Sequence, residues 1–480
     1  MSAPVIALAI AGVVVLATIA TALLAVRRLP SDPTQLVVGG RSLGAVLLWI
    51  LLAGEVYTSF TFLGAAGWAY SYGAPAFYIL AYGTCGYILG YFLLPAIRRA
   101  GAEGGFLTGP DYFAGTYGSN GLGMLVALVQ AALVIPYVTL QLTGLQIIIR
   151  DAGYGRVEGT VAASIAFIVI AAFVFTAGLR GTAWASLVKD ALVLVAVLFA
   201  GIAIPTRFFG SPAGLFTHLL AAHRAMLTIP GGAAPHGMNW FISTVLLSAI
   251  GFYTGPHSIA AAYAARSDDA LRRNAIYLPV YQLVLLLMFF AGFSALLLAP
   301  GLHGPAADQS FLLVVRTYYP AWIMGIVAGA GALAALLPAS ALLLAAGSVV
   351  TKNLIPQYFA RLGDATRQTA AIRGAILGIA VLALILWLTA KTTLVELLLV
   401  YYAGMTQLAP GLILGALRMR TDATAIACGI LAGLAGAIYW SLPGRAPWGV
   451  NGGFAALALN LAVIALVTTA RARRGRGGLS

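Results

Sequence analysis

The stretch GAVLLWILLAGEVYTSFTFLGAAGWAY, residues 44–70, decides the fold. It is apolar over a length that crosses a bilayer, and its middle carries Gly54 and Glu55. At helical rise Glu55 falls about 16 Å into a hydrocarbon core of about 30 Å. An ionised carboxylate at that depth is costly unless it is paired, protonated or wet. Glu55 therefore reads as a functional group, against the plainer reading of a side chain that only faces a water-filled crevice.

Composition points the same way. Of 480 residues, 61% are hydrophobic and 8% are charged, against about 25% charged in a soluble protein. The chain is expected to be an all-α polytopic membrane protein. Its 27 Lys and Arg are spread through short connections without a basic domain, so they serve topology and not nucleic acid. Cys85 and Cys428 lie in apolar segments without metal-ligand spacing and read as small core residues.

Thirteen apolar runs are long enough to span: 4–26, 44–70, 75–97, 120–149, 159–178, 182–206, 239–263, 274–299, 321–351, 374–390, 393–417, 423–441 and 449–470. Nineteen Lys and Arg fall in alternate connections and the tail, seven in the others, and Lys189 lies inside a span. The positive-inside rule then places the amino terminus outside and the carboxyl terminus inside. The first run, too long for a signal peptide and followed by Arg27 and Arg28, is expected to remain as a reversed anchor. The basic tail Arg471–Arg476 reads as a positive-inside anchor. The connection 208–238, punctuated by Pro212, Pro230 and Pro235, suits a surface helix or a lid.

Two spans carry helix breakers: 44–70 with Gly54, Gly64 and Gly67, and 239–263 with Gly251 and Gly255-Pro256-His257. Unwound backbone at membrane depth is tolerated only inside protein or along a polar cavity. The two spans each begin a block of five, so the blocks enter from opposite sides and read as inverted repeats around a central site. The competing explanation is glycine used for close helix packing.

The motifs VVGGRSLG (37–44), AGEVYTSFTF (53–62), TGPDYFAGTYGS (108–119), IPYVTLQLTG (135–144), GLRGTAWASLVKD (178–190), GFYTGPH (251–257), RRNAIYLPVY (272–281) and LLPASALLLAAGSVVTKN (336–353) follow one another in this order. In these residues the chain resembles the solute:sodium symporter family, and within it the bacterial monocarboxylate permeases. The resemblance implies a leucine-transporter-like core of five plus five inverted repeats, with one helix before and two after. The domains expected on this basis are 1–43, a first repeat 44–207, an external loop 208–238, a second repeat 239–417 and two final helices in 418–480.

The resemblance also implies a sodium site formed by backbone carbonyls at Gly54 and Tyr57 and a hydroxyl pair on the eighth core helix. That pair falls on Leu337 and Pro338, neither of which offers the oxygen a hard cation requires. Ser340 stands three residues on, leaving a shifted site or a shifted register open. Two ionisable groups are at hand instead, Glu55 and Lys189, the latter about 10 Å deep. A lysine ammonium substitutes for a bound cation, and a desolvated Lys or Glu exchanges protons usefully. Proton coupling through Glu55 or Lys189 is therefore expected, with sodium retained as the other coupling ion and no cofactor or bound metal. The plainer alternatives are snorkelling of Lys189 or an ion pair with Glu55 or Asp190. Because adjacent helix positions diverge by about 100°, Lys189 and Asp190 are not expected to face one partner.

A small carboxylate suits the free N–H groups of a broken half-helix. The candidate substrate residues are Tyr57, Thr58, Thr61, Gln141, Tyr253 and His257, each of which also has a plain hydrogen-bonding explanation. Tyr401, Tyr402 and Gln407 read as packing. Nothing in the residues separates lactate, pyruvate, acetate, propionate or a small neutral amino acid; the resemblance favours monocarboxylates. The expected partners are this solute and the lipid bilayer, without nucleic acid, and the expected working unit is a monomer in the plasma (inner) membrane. An enzyme is disfavoured: His218, His223, His236 and His303 lie in connections, and no HExxH or GxSxG occurs. The remaining alternatives are a sodium-coupled symporter of another solute and a transporter-like sensor.

Overall fold

The computed structural model describes residues 2–26, 32–230, 237–389, 391–419 and 421–477. Its principal helices are α1 (Ala3–Val26), α2 (Ala45–Val56), α3 (Ala65–Tyr72), α4 (Tyr78–Gly104), α5 (Gly109–Tyr117), α6 (Asn120–Ala152), α7 (Gly159–Leu198), α8 (Pro212–Ala222), α9 (Met238–Gly251), α10 (Pro256–Ala264), α11 (Asp268–Leu283), α12 (Leu286–Leu298), α13 (Ser310–Tyr318), α14 (Ala321–Val349), α15 (Ala365–Thr389), α16 (Leu394–Met405), α17 (Ala409–Ala416), α18 (Ala423–Trp440) and α19 (Gly452–Gly477). Among the described residues, ten helices are long and apolar enough to cross a membrane, and eleven when the bent pair α9/α10 is taken as one span. The chain is thus a multi-pass membrane protein. The two further spans expected from sequence fall on 44–70, which is broken into short helices, and on 159–178, whose apolar helix Gly159–Phe175 is short.

Both expected spans are interrupted, the second at Gly255-Pro256 and the first three residues past Gly54. Between α2 and α3 the backbone leaves helical geometry at Tyr57 (φ −97°, ψ 92°) and resumes through a widened turn over Phe60–Gly64. Between α9 and α10 the chain bends by 46° just before Pro256, whose ring suits the first turn of a helix. Long α7 also turns at Gly178 (φ 59°), which separates the two spans read there.

Helix α14 is buried along nearly its whole length, and its Ala- and Gly-rich sequence explains why. Small residues let neighbouring backbones approach where lipid supplies no hydrophobic drive between helices. Gly325 lies against Ala7 and Ile10 of α1, and Gly329 against Val14. At the far end α18 and α19 pair, and Asn460 Nδ2 donates to Gln407 O at 2.8 Å. The connection after α7 carries a surface helix, α8, capped by Ser211 on Gly214 N at 2.9 Å; residues 231–236, with His236, lie outside the described residues. Both cysteines are half-buried and not core residues, because their helices turn one side to the surrounding lipid.

An ideal Cβ built on Gly292 of α12 falls 2.2 Å from Ala66 O, a backbone atom that cannot yield without moving α3. Gly292→Ala is expected to cost about 1–3 kcal/mol, read as a lower thermal midpoint and less monodisperse protein in detergent. Gly378→Ala, with nothing within 4 Å, should leave both unchanged.

Candidate coupling and solute site

The first break frees backbone groups, and the side chains around it take them up. Thr61 Oγ1 donates to Val56 O at 2.7 Å and accepts from Thr58 N at 2.9 Å. Thr58 Oγ1 accepts from Phe60 N at 3.1 Å, and Gln141 Oε1 of α6 accepts from Ser59 N at 3.2 Å. Thr58, Thr61 and Gln141 are therefore engaged with the break itself. Two buried donors beside it, Ser59 Oγ and Gln141 Nε2, have no hydrogen-bond partner among the described residues. Ser59 was not singled out from sequence.

Helix α6 braces the second break as well. Gln130 Nε2 donates to Thr254 O at 2.9 Å, and Thr254 Oγ1 donates to Gly251 O at 2.7 Å. The eleven-residue spacing of Gln130 and Gln141 puts both on one face of α6. One helix thus holds both interrupted spans.

The carbonyls left open by the first break face α7. Lys189, fully buried, donates from Nζ to Gly54 O at 2.8 Å and to Tyr57 O at 3.4 Å, and its Nζ stands 2.9 Å from Asp190 Oδ1. The ammonium thus donates to two carbonyls and is ion-paired with Asp190. Thr182, Ser186 and Lys189 share a face of α7, and Gly54 fits against it: an ideal Cβ at Gly54 would lie 3.1 Å from Ser186 Oγ and 3.2 Å from Lys189 Nζ. The pairing of Lys189 with its own neighbour is the ion-pair alternative left open by the sequence. Adjacent Cβ atoms diverge, but the four-carbon lysine stem closes the gap. The side chain of Glu55 lies outside the described residues.

Tyr57 turns toward α11: its hydroxyl reaches Tyr281 O at 3.4 Å, and the two rings meet edge to face at 4.9 Å. Tyr281 also interacts with the Asp190 carboxylate. Leu337 and Pro338 are buried in α14, and the nearby Ser340 hydroxyl shares a 3.1 Å hydrogen bond with Thr182 of α7. Oxygen ligands are thus scarce on the α14 side of this site. His257 sits with Tyr137 and Tyr401, ring centroids 5.8 and 6.4 Å away. Tyr253 packs against Gly90 of α4 and stacks edge to face on Phe252 at 4.9 Å. The structure therefore separates the six candidate solute residues. Thr58, Thr61 and Gln141 hold the break, Tyr57 joins Lys189, His257 joins an aromatic group, and Tyr253 faces α4.

On the side rich in basic residues, two motifs meet. Asn353 Nδ2 donates to Asp111 Oδ1 at 2.8 Å and Thr108 Oγ1 donates to Asn353 Oδ1 at 2.8 Å, while Lys352 pairs with Asp111. Burial alone would raise the Asp111 carboxyl, but the Lys352 ammonium and the N–H donors around it hold it below the usual carboxylate range. Nearby, Leu43 N donates to Ala264 O at 3.0 Å and Arg266 N to Leu43 O at 2.9 Å, joining the entry to α2 with the exit of α10.

Comparison with known proteins adds the following. The pattern of the sodium:solute symporter family matches residues 36–433. The chain is 40% identical over 451 residues to the uncharacterized symporter YhjB of Bacillus subtilis, covering 90% of this chain and 91% of that one. It is 29% identical over 448 residues to a monocarboxylate transport permease protein of Rhizobium johnstonii, covering 89% of each. In structure it resembles a substrate-bound, outward-open Na+-coupled sialic acid symporter, with a TM-score of 0.78 at 16% identity over 98% of both chains. Mhp1, a nucleobase-cation-symport-1 family transporter, gives a TM-score of 0.56 at 14% identity over 92% of this chain and 95% of that one.

Removing one partner of a buried ion pair costs about 3–5 kcal/mol because the other charge is stranded, whereas removing both costs less. Lys189→Ala should accordingly lower the thermal midpoint in detergent more than the double variant Lys189→Ala/Asp190→Ala. Equal losses would show that the pair does not act as a unit.

Proposed function

Because the chain belongs to the sodium:solute symporter family, we propose that it takes up a small monocarboxylate, such as lactate or pyruvate, together with a proton. The observation that carries this reading is the Lys189 ammonium on the Gly54 and Tyr57 carbonyls. These are the carbonyls at which the sodium site was expected, and Leu337 and Pro338 stand where its hydroxyls were expected. A protonated lysine supplies one positive charge at this point without a metal ion. Loss of its proton removes the charge and one of the three N–H donors, which breaks the ion pair with Asp190 and weakens the tie between α7 and the first break, so that the two helices can separate. Protonation and alternating access are linked in this way. Glu55 is kept as a second candidate proton carrier.

For the solute, Ser59 Oγ and Gln141 Nε2 are buried donors beside the break, and a carboxylate is an acceptor-only group that matches them. The permease name borne by the Rhizobium relative supports the same class. The working arrangement is thirteen spans with the amino terminus outside, repeats at 44–207 and 239–417 rocking about the site, and residence in the plasma membrane. Sodium-driven uptake of another small solute is the second reading, favoured by the description of the family and by Ser340.

Purified protein in liposomes distinguishes them. Labelled lactate or pyruvate is expected to accumulate under an inward proton gradient and to be indifferent to an inward sodium gradient. Lys189→Gln should abolish accumulation. Uptake driven by sodium and indifferent to pH would overturn the proton reading.

A further inference from the structure

Between α12 and α14 the chain forms a hairpin of a tight turn, Gly304–Gln309, and helix α13. It seats on the outer half of the first broken span. Phe311 meets Phe62 edge to face at 5.6 Å, and Tyr70 Oη both donates to Ala299 O and accepts from Leu302 N at 2.9 Å. At the centre of this contact is Asp308, 2% exposed. Its Oδ2 accepts from Leu394 N, in the first turn of α16, at 2.8 Å. Its Oδ1 stands 2.7 Å from where a Cβ on Gly67 of α3 would be. A carboxyl is thus clamped between three elements: the hairpin, α3 and α16.

No cation stands within ion-pair distance of Asp308 among the described residues. The charged and titratable groups around it belong elsewhere or share its sign. On α16, Glu396 caps its own helix through Thr393 N at 2.9 Å, and Lys391 precedes that cap. On α3 the nearest is Tyr72. On α6, Arg150 and Asp151 line with Asp308 a cavity of 260 Å³, but Asp151 is paired with Arg316 of α13 at 2.8 Å. His303 opens the turn itself. Burial, opposed by the Leu394 N–H and reinforced by Glu396, pushes the Asp308 carboxyl up to about 7.

We propose that Asp308 is an external proton-binding carboxyl that has to be neutral before the hairpin seats on α3 and α16. The inference rests on the symport reading and its orientation, in which this hairpin is external. The proton is taken from outside water onto an Asp308 oxygen while the hairpin is lifted. Seating then buries a neutral acid, and the carboxylate form resists burial. Closure of the outer side is in this way conditional on proton arrival, which suppresses closure without a proton. The sign follows from the two environments. An exposed carboxyl titrates near 3.8 and the seated one near 7, so the seated state is fully favoured below the lower value. It weakens as pH rises to the upper one. Between about pH 5 and about pH 8 the seating equilibrium should fall roughly 100-fold.

The test uses the full chain in nanodiscs, without solute or ion gradient. Spin labels are placed at Pro305→Cys on the hairpin and Leu442→Cys after α18, with Cys85→Ser and Cys428→Ser, and distances are read by pulsed electron resonance. A longer-distance population is expected at about pH 8 and should shrink at about pH 5. In Asp308→Asn the short distance should dominate at both. Asp308→Ala, equally unable to ionise, is predicted to be pH-independent and serves if the Asn variant does not fold. A wild-type distribution that ignores pH, or a variant that responds as wild type does, overturns the proposal. Either result leaves the Lys189 reading to its own uptake assay, and failure of that assay removes the transport role while the pH response of the hairpin is still read here.

Discussion

A buried ammonium resting on the carbonyls of an interrupted helix is the interaction on which the rest of the structure depends. Breaking a membrane span exposes backbone oxygens to a medium that cannot hydrate them, so they must be satisfied by protein or by an ion. In this chain α7 satisfies them with Lys189, and Asp190 supplies the compensating charge. The remaining features serve that contact. Glycine at position 54 lets α7 close in, and the glutamines of α6 hold the two breaks in place. Buried α14 then presents Leu337 and Pro338 rather than an oxygen pair.

A cation held by covalent attachment differs from one that diffuses in. It cannot leave, so the only way to alter the charge is to move a proton. On the proposed mechanism this turns a binding equilibrium into an acid–base one. Asp308 stands at the other end of the same broken span, where α3 meets the hairpin and α16. One group lies between α2 and α7 and the other against α3, so both halves of the broken span carry a buried ionisable side chain.

Much of this was legible from residues because membrane burial leaves strong marks. Apolar run lengths marked the spans, ten or eleven of which are long enough among the described residues, and Gly251 and Pro256 marked the second break, while the first falls at Tyr57, three residues past Gly54. An isolated Lys189 in an apolar segment announced a buried charge. What was not legible depended on side-chain reach and on packing between distant segments. An ion pair of Lys189 with Asp190 was one of the readings the residues left open, and the lysine stem's reach realises it. Gln130, Ser59 and Asp308 carry no local signal: a glutamine, a serine and an aspartate of these kinds occur in any loop or helix, and only the fold brings them to the breaks and to Gly67. Thr58 and Thr61, attractive as solute ligands by position, bond to the backbone their own break had freed.

The central claim, that Lys189 takes the place of a sodium ion, is tested most directly by equilibrium binding of radioactive sodium to the purified full-length chain, with unlabelled sodium or choline as competitor. The account predicts no saturable binding and identical counts with either competitor. Saturable binding displaced by sodium and not by choline would contradict it.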